Sequence, residues 1–325
     1  MTSTTYILCP GQGAQVVGMG KDFYEKSPAA KEVFDAANKV LGFDLASLAF
    51  NGPDERLNQT DISQPAIYVT SIAAHRAAVA AGVLSEGGDQ QFAGLSLGEY
   101  TALHLAGCFS FEDGLKLVAA RGKYMQEAAV ATPSSMVAIM GADEAAVTKL
   151  CAQTAQGDVM VPANFNAPGQ IVVSGSKIAC ERIAAAAGDA GFKAVPLVVA
   201  GAFHSPIMQS GADKMKAELE RVTFNAPRAT VYSNVTAAPH TDPASIKRLL
   251  VDQIVKPVRW EQTMQKIAPA ASTPATGTPA AGNPVADARF VELAPGRVLT
   301  GLLKKINRRL PVDSLATADA LSTAP

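Results

Sequence analysis

The sequence has little charge and little cysteine. Only 18% of its 325 residues are charged, and 28 Lys and Arg residues against 29 Asp and Glu residues leave a formal net charge of −1. Nucleic-acid-binding proteins normally gather a basic excess on one face, so this balance argues against a nucleic-acid partner. The four cysteines lie far apart, with no CxxC pair and no Cys/His cluster. That spacing excludes a disulfide scaffold and offers zinc no set of ligands.

Long apolar runs are also missing. A membrane-spanning helix would need about 20 consecutive apolar residues, and no such stretch occurs. The first residues, MTSTTYILCPGQG, lack the basic segment and apolar core of a signal peptide. We therefore expect no membrane association and a cytoplasmic protein. A chain of this length can bury roughly 75% of its unfolded surface, in one large core or in two domains.

Short apolar segments alternate with helical periodicity in much of the chain. Residues 6–9 and 91–95 are strand-like runs next to glycine-bearing turns. Apolar positions recur at helical spacing in residues 21–48 and 66–81. The predicted helix starts are two Xaa-Pro pairs, Ser27-Pro28 and Gln64-Pro65. This alternation predicts an α/β protein with a parallel sheet that is covered on both faces.

A different order of elements is predicted from residue 133 to residue 199. It reads strand, helix, strand, strand, helix, strand, at residues 135–140, 143–153, 159–164, 170–174, 177–190 and 193–198, with a turn at 166–169. This order is the split βαβ arrangement of a ferredoxin-like unit. The sequence therefore predicts a hydrolase-like large α/β domain, residues 1–132 and 200–325, with an inserted ferredoxin-like subdomain, residues 133–199.

Residues 268–288 differ from the rest of the chain in composition. The stretch APAASTPATGTPAAGNPVADA is rich in Pro, Ala, Thr and Gly and has no periodic apolar face. Such tracts bury too little apolar area to offset the entropy of ordering. We expect a mobile surface loop here, followed by a strand at residues 289–293.

The sharpest local signal is GLSLG at residues 94–98, between a predicted strand and a helix-compatible segment. This is the pattern of a nucleophile elbow, in which the glycines permit a tight turn that projects the Ser96 hydroxyl. The N–H of Leu97 would then point toward a developing oxyanion at the helix N-terminus. A structural tight turn is the alternative, since GxSxG also occurs by chance.

A serine nucleophile needs a base, and one of the four histidines has a suggestive setting. His204 lies in a loop after a predicted strand, where the sites of α/β proteins assemble. His75 and His104 lie in helical patterns and His240 follows a proline, so we interpret them as core, surface or loop residues. No acid between Ser96 and His204 stands out, so a dyad with a carbonyl and a full triad both stay open.

The glycine-rich run at residues 11–21 fits no nucleotide-binding fingerprint. A phosphate loop would need Ser or Thr after Lys21, where Asp22 stands, and a dinucleotide motif would need glycine at Val16. What remains is a loop that can aim a backbone N–H and the Gln12 amide at a substrate oxygen. Such a loop suits an oxyanion hole.

These motifs resemble the malonyl-CoA:acyl carrier protein transacylases of fatty acid synthesis and the related acyltransferase domains of polyketide synthases. The likeness runs nearly end to end, and several motifs in the same order are far more specific than the elbow alone. The matching segments are PGQGAQ at 10–15, QPA at 64–66, GLSLGEY at 94–100, Arg121-Gly122 with Met125, residues 164–170, GAFHSP at 201–206 and residues 292–302.

The resemblance implies a role for each matching residue. Ser96 would attack a malonyl thioester while His204, oriented by the main-chain carbonyl of Gln253, takes its proton. Arg121 would bind the free malonyl carboxylate, since a planar guanidinium can grip a carboxylate with two hydrogen bonds. The other implied positions are the oxyanion-hole residues Gln12 and Leu97 and the substrate-binding residues Met125, Phe203, Gln64 and Asn166.

The activity that the resemblance implies is a ping-pong transfer of malonyl from malonyl-CoA to the phosphopantetheine thiol of acyl carrier protein, as part of fatty acid synthesis. No metal or redox cofactor is expected, and we expect a monomer. Phe203 beside His204 is similar to the malonyl-preferring form of that motif. Two alternatives stay open: a serine esterase or thioesterase with the same Ser96 and His204, and a non-catalytic module that docks carrier protein.

A basic cluster near the C-terminus is a candidate docking surface for the acidic carrier protein. A solvated helix face is the alternative for the same residues. The cluster consists of Lys304, Lys305, Arg308 and Arg309.

Overall fold

The computed structural model describes residues 4–87, 89–268 and 288–323. Within them the strands, in chain order, are β1 (Thr5–Cys9), β2 (Gln90–Gly94), β3 (Ser134–Met140), β4 (Met160–Ala167), β5 (Gln170–Ser176), β6 (Lys193–Pro196), β7 (Thr230–Tyr232), β8 (Arg289–Leu293) and β9 (Val312–Leu315). They form a five-stranded sheet and a four-stranded sheet.

The helices fall into three stretches of the chain. Before β3 they are α1 (Lys21–Lys26), α2 (Pro28–Leu41), α3 (Leu45–Asn51), α4 (Asp54–Leu57), α5 (Thr60–Ala80), α6 (Gly98–Leu105) and α7 (Phe111–Ala131). Among the strands of the smaller sheet are α8 (Glu144–Ala155) and α9 (Lys177–Asp189). After β6 follow α10 (Gln209–Arg221), α11 (Pro243–Val255), α12 (Trp260–Ile267), α13 (Val298–Ile306) and α14 (Ala320–Thr323).

The larger sheet is wholly parallel and has the strand order β7-β2-β1-β8-β9. Successive residues of β1 enter different apolar clusters, since Ile7 and Cys9 join one cluster and Leu8 joins another. Side chains alternate between the two faces of a strand, so helices cover the sheet on both sides. The predicted parallel α/β sheet is confirmed.

The smaller sheet is antiparallel and has the order β4-β5-β3-β6. With α8 and α9 it encloses its own apolar cluster, which includes Ile139, Val147 and Ile183. The order strand, helix, strand, strand, helix, strand matches the ferredoxin-like prediction. The domain boundaries at residues 133 and 199 stay a prediction.

The register of the central strands places two loops side by side. In the parallel pairing of β1 with β2, Cys9 lies opposite Gly94, so the loops that follow both strands leave the sheet at the same level. A Cβ atom on Gly98 would overlap the backbone of Cys9 and Pro10. Only glycine therefore lets the start of α6 lie directly against the end of β1.

Two details of the predicted elements are wrong. The helix expected to begin at Gln64-Pro65 begins at Thr60, and Pro65 lies inside it. Nearly all of α5 is buried, so its packing outweighs the backbone hydrogen bond that a proline loses. The turn expected at residues 166–169 is shorter, because β4 continues through Ala167.

Three other sequence predictions concern a helix start, a loop and membrane-spanning helices. The helix start at Ser27-Pro28 is confirmed, since the Ser27 side chain accepts a hydrogen bond from the N–H of Ala30 and Pro28 is the first helical residue. The loop expected at 268–288 lies outside the described residues except for its two ends. In the described part of the chain, no helix has the length and hydropathy to cross a bilayer.

Candidate active site

Ser96 occupies the turn between β2 and α6, as the elbow motif predicts. Its φ angle is 51°, in the left-handed region that non-glycine residues rarely adopt. The turn is held by hydrogen bonds from Leu95 N to Cys9 O (3.1 Å) and from Gly98 N to Leu95 O (2.9 Å). The Ser96 hydroxyl is thereby presented at the carboxyl end of the parallel sheet.

His204 lies against the Ser96 hydroxyl. Its Nδ1–H donates to the main-chain oxygen of Gln253 on α11, at 2.7 Å. Because that carbonyl can only accept, Nε2 of the neutral ring is left as an acceptor, and Ser96 Oγ lies 2.9 Å from it. The pair therefore has the hydrogen-bond order of a serine nucleophile and its base, with a carbonyl in the place of a triad acid.

The environment of His204 keeps its imidazole neutral. The ring is 4% exposed, and burial, reinforced by the nearby Arg121 cation, lowers its pKa to about 4. The hydrogen bond to the Gln253 carbonyl opposes part of this shift. At neutral pH the ring is thus unprotonated and able to accept a proton.

Arg121 is a buried cation beside the nucleophile. It is 1% exposed, although an isolated arginine on α7 would be expected at the surface. Nη2 donates to Ser96 Oγ (3.0 Å) and to Gln253 Oε1 (2.8 Å), while Nη1 donates to Gln64 Oε1 (2.7 Å). Within the described residues, Nε has no hydrogen-bond partner and no carboxylate pairs with the guanidinium.

A cavity of about 600 Å³ opens in front of Ser96. It lies between the two sheets, because Met136, Asn164 and Gln170 of the smaller sheet face residues that follow strands of the larger one. Arg121 and His204 are its ionisable lining residues, and carboxamide side chains supply most of the other polar groups. Such a cavity can hold an extended, mostly uncharged molecule whose reacting end lies at Ser96.

The structure brings most of the predicted site residues together. The cavity lining includes Gln12, Ser96, Arg121, Met125, Asn166, Phe203 and His204. Gln64 and Gln253 lie behind it, each bonded to Arg121. Leu97 is fully buried at the start of α6 and can contribute its backbone. Among the described residues, the backbone N–H groups of Gln12 and Leu97 donate no hydrogen bond.

Three site residues escaped the sequence reasoning. Asn234 Oδ1 accepts from the Ser96 backbone N–H at 2.6 Å. His240 lies in a loop, as interpreted above, but it is buried, with Nε2 2.6 Å from Oε1 of the buried Glu99. The sequence did not predict this contact because the partner of His240 lies 141 residues away, which local sequence patterns do not show. The one sequence feature that pointed to this group of residues was Glu99, which directly follows the GLSLG motif.

No metal site accompanies these groups in the described part of the chain, where no set of three or more His, Cys, Asp and Glu side chains could hold an ion. The four cysteines, each buried, are free thiols.

A family model for the acyl transferase domain matches residues 5–292. The chain belongs to the acyl transferase family. Among relatives of this acyl transferase is the malonyl CoA-acyl carrier protein transacylase of Salmonella typhimurium, 40% identical over 327 residues that cover 100% of this chain and 99% of the relative.

Solved structures of other acyl transferases have the same fold. The malonyl CoA-acyl carrier protein transacylase of Coxiella burnetii is 35% identical, with a TM-score of 0.90, and the match covers 100% of this chain and 97% of that one. A malonyl-transacylase solved in complex with its type II PKS acyl-carrier protein is 36% identical, with a TM-score of 0.89 and 99% of each chain covered.

Proposed function

We propose that this acyl transferase moves a malonyl group from malonyl-CoA to the phosphopantetheine thiol of an acyl carrier protein, through an ester on Ser96. The observation that carries the proposal is the 3.0 Å distance between Arg121 Nη2 and Ser96 Oγ in a buried cavity. The relatives named as malonyl transacylases, and the one solved with a carrier protein, support it. The role proposed for the chain is to supply malonyl units for fatty acid synthesis.

The position of Arg121 selects for an acyl group that ends in a carboxylate. A buried guanidinium without an anionic partner is costly, and a substrate carboxylate can remove that cost. A substrate carboxylate can replace Ser96 Oγ as the acceptor for one Nη2–H, and Nε is a second donor that has no partner among the described residues. An acetyl group offers no such partner, so malonyl is favoured over acetyl.

Acylation of Ser96 is the first half of the reaction. The Ser96 Oγ–H proton moves to His204 Nε2 while Oγ bonds to the thioester carbon, which gives a tetrahedral oxyanion. The bond from carbon to sulfur then breaks, and His204 returns the proton to the departing CoA thiolate. The Gln253 carbonyl stabilises the imidazolium that exists between the two steps, because it accepts from Nδ1–H.

The backbone N–H groups of Gln12 and Leu97 are the proposed donors to the oxyanion. They lie in the adjacent loops after β1 and β2, and Leu97 is the N-cap residue of α6, whose N-terminus favours negative charge. Both groups are free of other hydrogen bonds in the part of the chain that the structure describes.

Transfer to the carrier protein reverses these steps. His204 takes the proton of the phosphopantetheine thiol, sulfur attacks the malonyl ester, and Ser96 leaves and recovers its proton from His204. The cavity of about 600 Å³, with its carboxamide side chains, suits the pantetheine arm that CoA and carrier proteins share. Neither half of the reaction needs a change of oxidation state or a resident cofactor.

Four further residues are proposed to shape the acyl site. Met125 and Phe203 supply apolar walls close to Arg121 and His204, and Asn166 offers a buried Oδ1 that is unpartnered in the described residues. Gln64 holds Arg121 Nη1 from behind the cavity.

Since every proposed site residue comes from one chain, a monomer is expected to be active. The free thiols of all four cysteines suit the reducing cytoplasm, where we place the reaction.

Replacing Arg121 tests the substrate assignment. Arg121→Ala should slow malonylation of Ser96 by roughly 10- to 100-fold, the effect of one to two charged hydrogen bonds, while acetylation is slowed far less. The rates are measured by intact-protein mass after rapid mixing with malonyl-CoA or acetyl-CoA. Arg182→Ala is the control, because Arg182 binds Thr154 and Asp158 in the smaller sheet's unit, away from the cavity. An unchanged malonyl-to-acetyl ratio in Arg121→Ala would contradict the assignment.

A further inference from the structure

A buried carboxylate lies directly behind the nucleophile. Glu99, on the first turn of α6, is fully buried and accepts hydrogen bonds from three other segments of the chain. Its Oε1 is 2.6 Å from His240 Nε2, and its Oε2 accepts from Gln253 Nε2 (2.6 Å) and from Asn234 N (3.2 Å). The proposed proton transfers do not involve Glu99. A carboxylate so costly to bury must therefore contribute in another way.

Gln253 contacts all three groups of the proposed reaction. Its main-chain oxygen accepts from His204, its Nε2 donates to the main-chain oxygen of Ser96 (2.9 Å), and its Oε1 accepts from Arg121 Nη2 (2.8 Å). The Gln253 amide can make these contacts in only one orientation. A rotation by 180° would place its NH2 against the Arg121 guanidinium and its oxygen against the Glu99 carboxylate.

Glu99 thereby fixes the partner that holds Arg121. Two amide oxygens, from Gln64 and Gln253, clamp the guanidinium. Among the described residues, the one acceptor for the Gln64 amide Nε2 is Met125 Sδ at 3.7 Å, a weak acceptor, whereas Gln253 Nε2 donates to a carboxylate. An amide spacer also leaves the Arg121 charge available, since a carboxylate in direct contact would compete with the substrate carboxylate.

A second route links Glu99 to the nucleophile. Glu99 Oε2 accepts from the backbone N–H of Asn234. The Asn234 side chain accepts from Ser96 N through Oδ1 (2.6 Å) and donates to Gly94 O through Nδ2 (2.7 Å). These bonds hold the strained Ser96 turn in place through a residue that does not line the cavity.

We infer that Glu99 is a positioning residue that sets the malonyl selectivity of this site, by locking the Gln253 amide so that its oxygen holds Arg121 beside Ser96. This inference rests on the proposed malonyl transfer and adds to it a residue that does not touch the substrate. Replacing a residue with a merely structural role would lower stability and would slow acylation by all acyl donors to the same extent. Replacing Glu99 should instead slow acylation by malonyl-CoA more than acylation by acetyl-CoA.

A double-mutant cycle tests the inference. Glu99→Ala and Gln253→Ala should each lower the malonyl-to-acetyl ratio of Ser96 acylation by about tenfold, equivalent to about 1.4 kcal/mol, and the double variant should lose no more than either single one. Gln253→Ala keeps the main-chain oxygen that orients His204, so it isolates the amide. The ratio is obtained from rates of adduct formation by intact-protein mass.

Glu99→Gln is the conservative variant and should restore most of the selectivity. The introduced amide keeps an oxygen for Gln253 and can donate to His240 Nε2, because His240 Nδ1 has no partner in the described residues and can carry the ring proton instead. Glu292→Ala is the matched control. Glu292 is also a buried carboxylate with three hydrogen bonds, which it accepts from Leu299 and Thr300 at the start of α13, and its loss should lower stability without changing the ratio.

The outcomes separate this inference from the function on which it rests. Additive losses in the double variant, or an unchanged ratio in folded Glu99→Ala, would overturn the inference alone. If Glu99→Ala does not fold, two predictions remain. Gln253→Ala must still lower the malonyl-to-acetyl ratio, and combining Glu99→Gln with Gln253→Ala must lower that ratio no further. Failure of either prediction overturns the inference. A wild-type chain that forms no malonyl adduct would overturn the proposed function, and the inference with it.

Discussion

Ser96 and His204 share a backbone conformation that is rare for their residue types. Their φ angles are 51° and 57°, and left-handed conformations of non-glycine residues cost roughly 1–3 kcal/mol each. The surroundings hold both in place: Asn234 binds the Ser96 N–H, and Ser174 Oγ donates to the carbonyl of Phe203, next to His204, at 2.6 Å. Ser96 and His204 are hydrogen-bonded to each other, and both have a strained backbone. Such strain is expected where the geometry of a pair is needed for the reaction rather than for stability.

Burial is the main cause of the low pKa of His204 and the charge of Arg121 adds to it, which gives a pH prediction. Burial and the Arg121 cation lower the His204 pKa to about 4, so wild-type acylation should fall only as the pH drops through about 4. Arg121→Ala removes the cation, raises the His204 pKa toward its ordinary value, and so moves the acid limb to higher pH. The burst of 4-nitrophenol from 4-nitrophenyl acetate measures this limb, because its acyl group needs no carboxylate partner.

Two controls belong to that experiment. Circular dichroism at each pH separates loss of base function from loss of fold, and Arg182→Ala should keep the wild-type limb. An acid limb in Arg121→Ala that stays at the wild-type pH, or moves lower, would show that the cation does not act on His204.

Some residues of the site could be predicted from the sequence and others could not. Ser96 and Arg121 stand in local motifs, and the family likeness carried their proposed roles to these positions. Glu99, Asn234 and His240 form a network in which Glu99 is separated from Asn234 by 135 residues and from His240 by 141 residues of the chain. A single sequence contains no local pattern for such pairings, and it does not show that a glutamate after the elbow is fully buried.

At the level of secondary-structure elements, β1 and α6 are packed closely together. Gly98 lies where a Cβ would overlap the backbone of Cys9 and Pro10, so an alanine there must push α6 away from the sheet. We expect Gly98→Ala to lower the free energy of unfolding by about 2–4 kcal/mol and to reduce acylation of Ser96 as well. Urea denaturation and the intact-mass rate measure the two effects.

Gly301 on α13 is the control position for the Gly98→Ala substitution. It has a helical backbone, and a Cβ atom at this position would have open space around it, so Gly301→Ala should raise the free energy of unfolding by about 0.5–1 kcal/mol. Equal effects of the two substitutions would refute the close packing inferred at Gly98.

Elements with strong local signals were predictable, and those governed by tertiary packing were not. The strand at Arg289–Leu293 and the helix start at Ser27 follow from apolar runs and capping chemistry. Pro65 misled the prediction, because α5 gains more from burial than the proline costs. Asn166 was expected in a turn but lies in β4, where pairing with β5 extends the strand.

The molecule as a whole places its site where two sheets of different type meet. The parallel sheet supplies Ser96 at its carboxyl edge, and strands of the antiparallel sheet close the opposite side of the cavity. α13 reaches the same place, since Val298 and Leu302 line the cavity and Lys305 donates to Gln170, another lining residue. One member of the basic cluster, Lys305, is therefore in contact with a residue that lines the cavity, and Lys304, Arg308 and Arg309 are exposed nearby in the chain.

That position predicts how an acidic carrier protein is attracted. The double substitution Lys304→Ala and Arg308→Ala should raise KM for the carrier several-fold at low salt, and the difference should shrink as salt screens the charges. Malonylation of Ser96 by malonyl-N-acetylcysteamine, which lacks the charged nucleotide of CoA, should keep its rate and serves as the internal control. An unchanged KM for the carrier would leave these residues as exposed charges on α13 and on the turn that follows it, where Arg308 and Arg309 lie, rather than on one helix face as the sequence alternative had it.

The central claim is that Ser96 carries a malonyl group from CoA to a carrier thiol. Intact-protein mass after brief mixing with malonyl-CoA, followed by phosphopantetheinylated carrier protein, tests it directly, with Ser96→Ala and a carrier without its arm as controls. We predict a malonyl-sized adduct that requires Ser96 and moves to the carrier only when the arm is present. An adduct that decays to free malonate at the same rate with or without carrier, or no adduct at all, would contradict the claim.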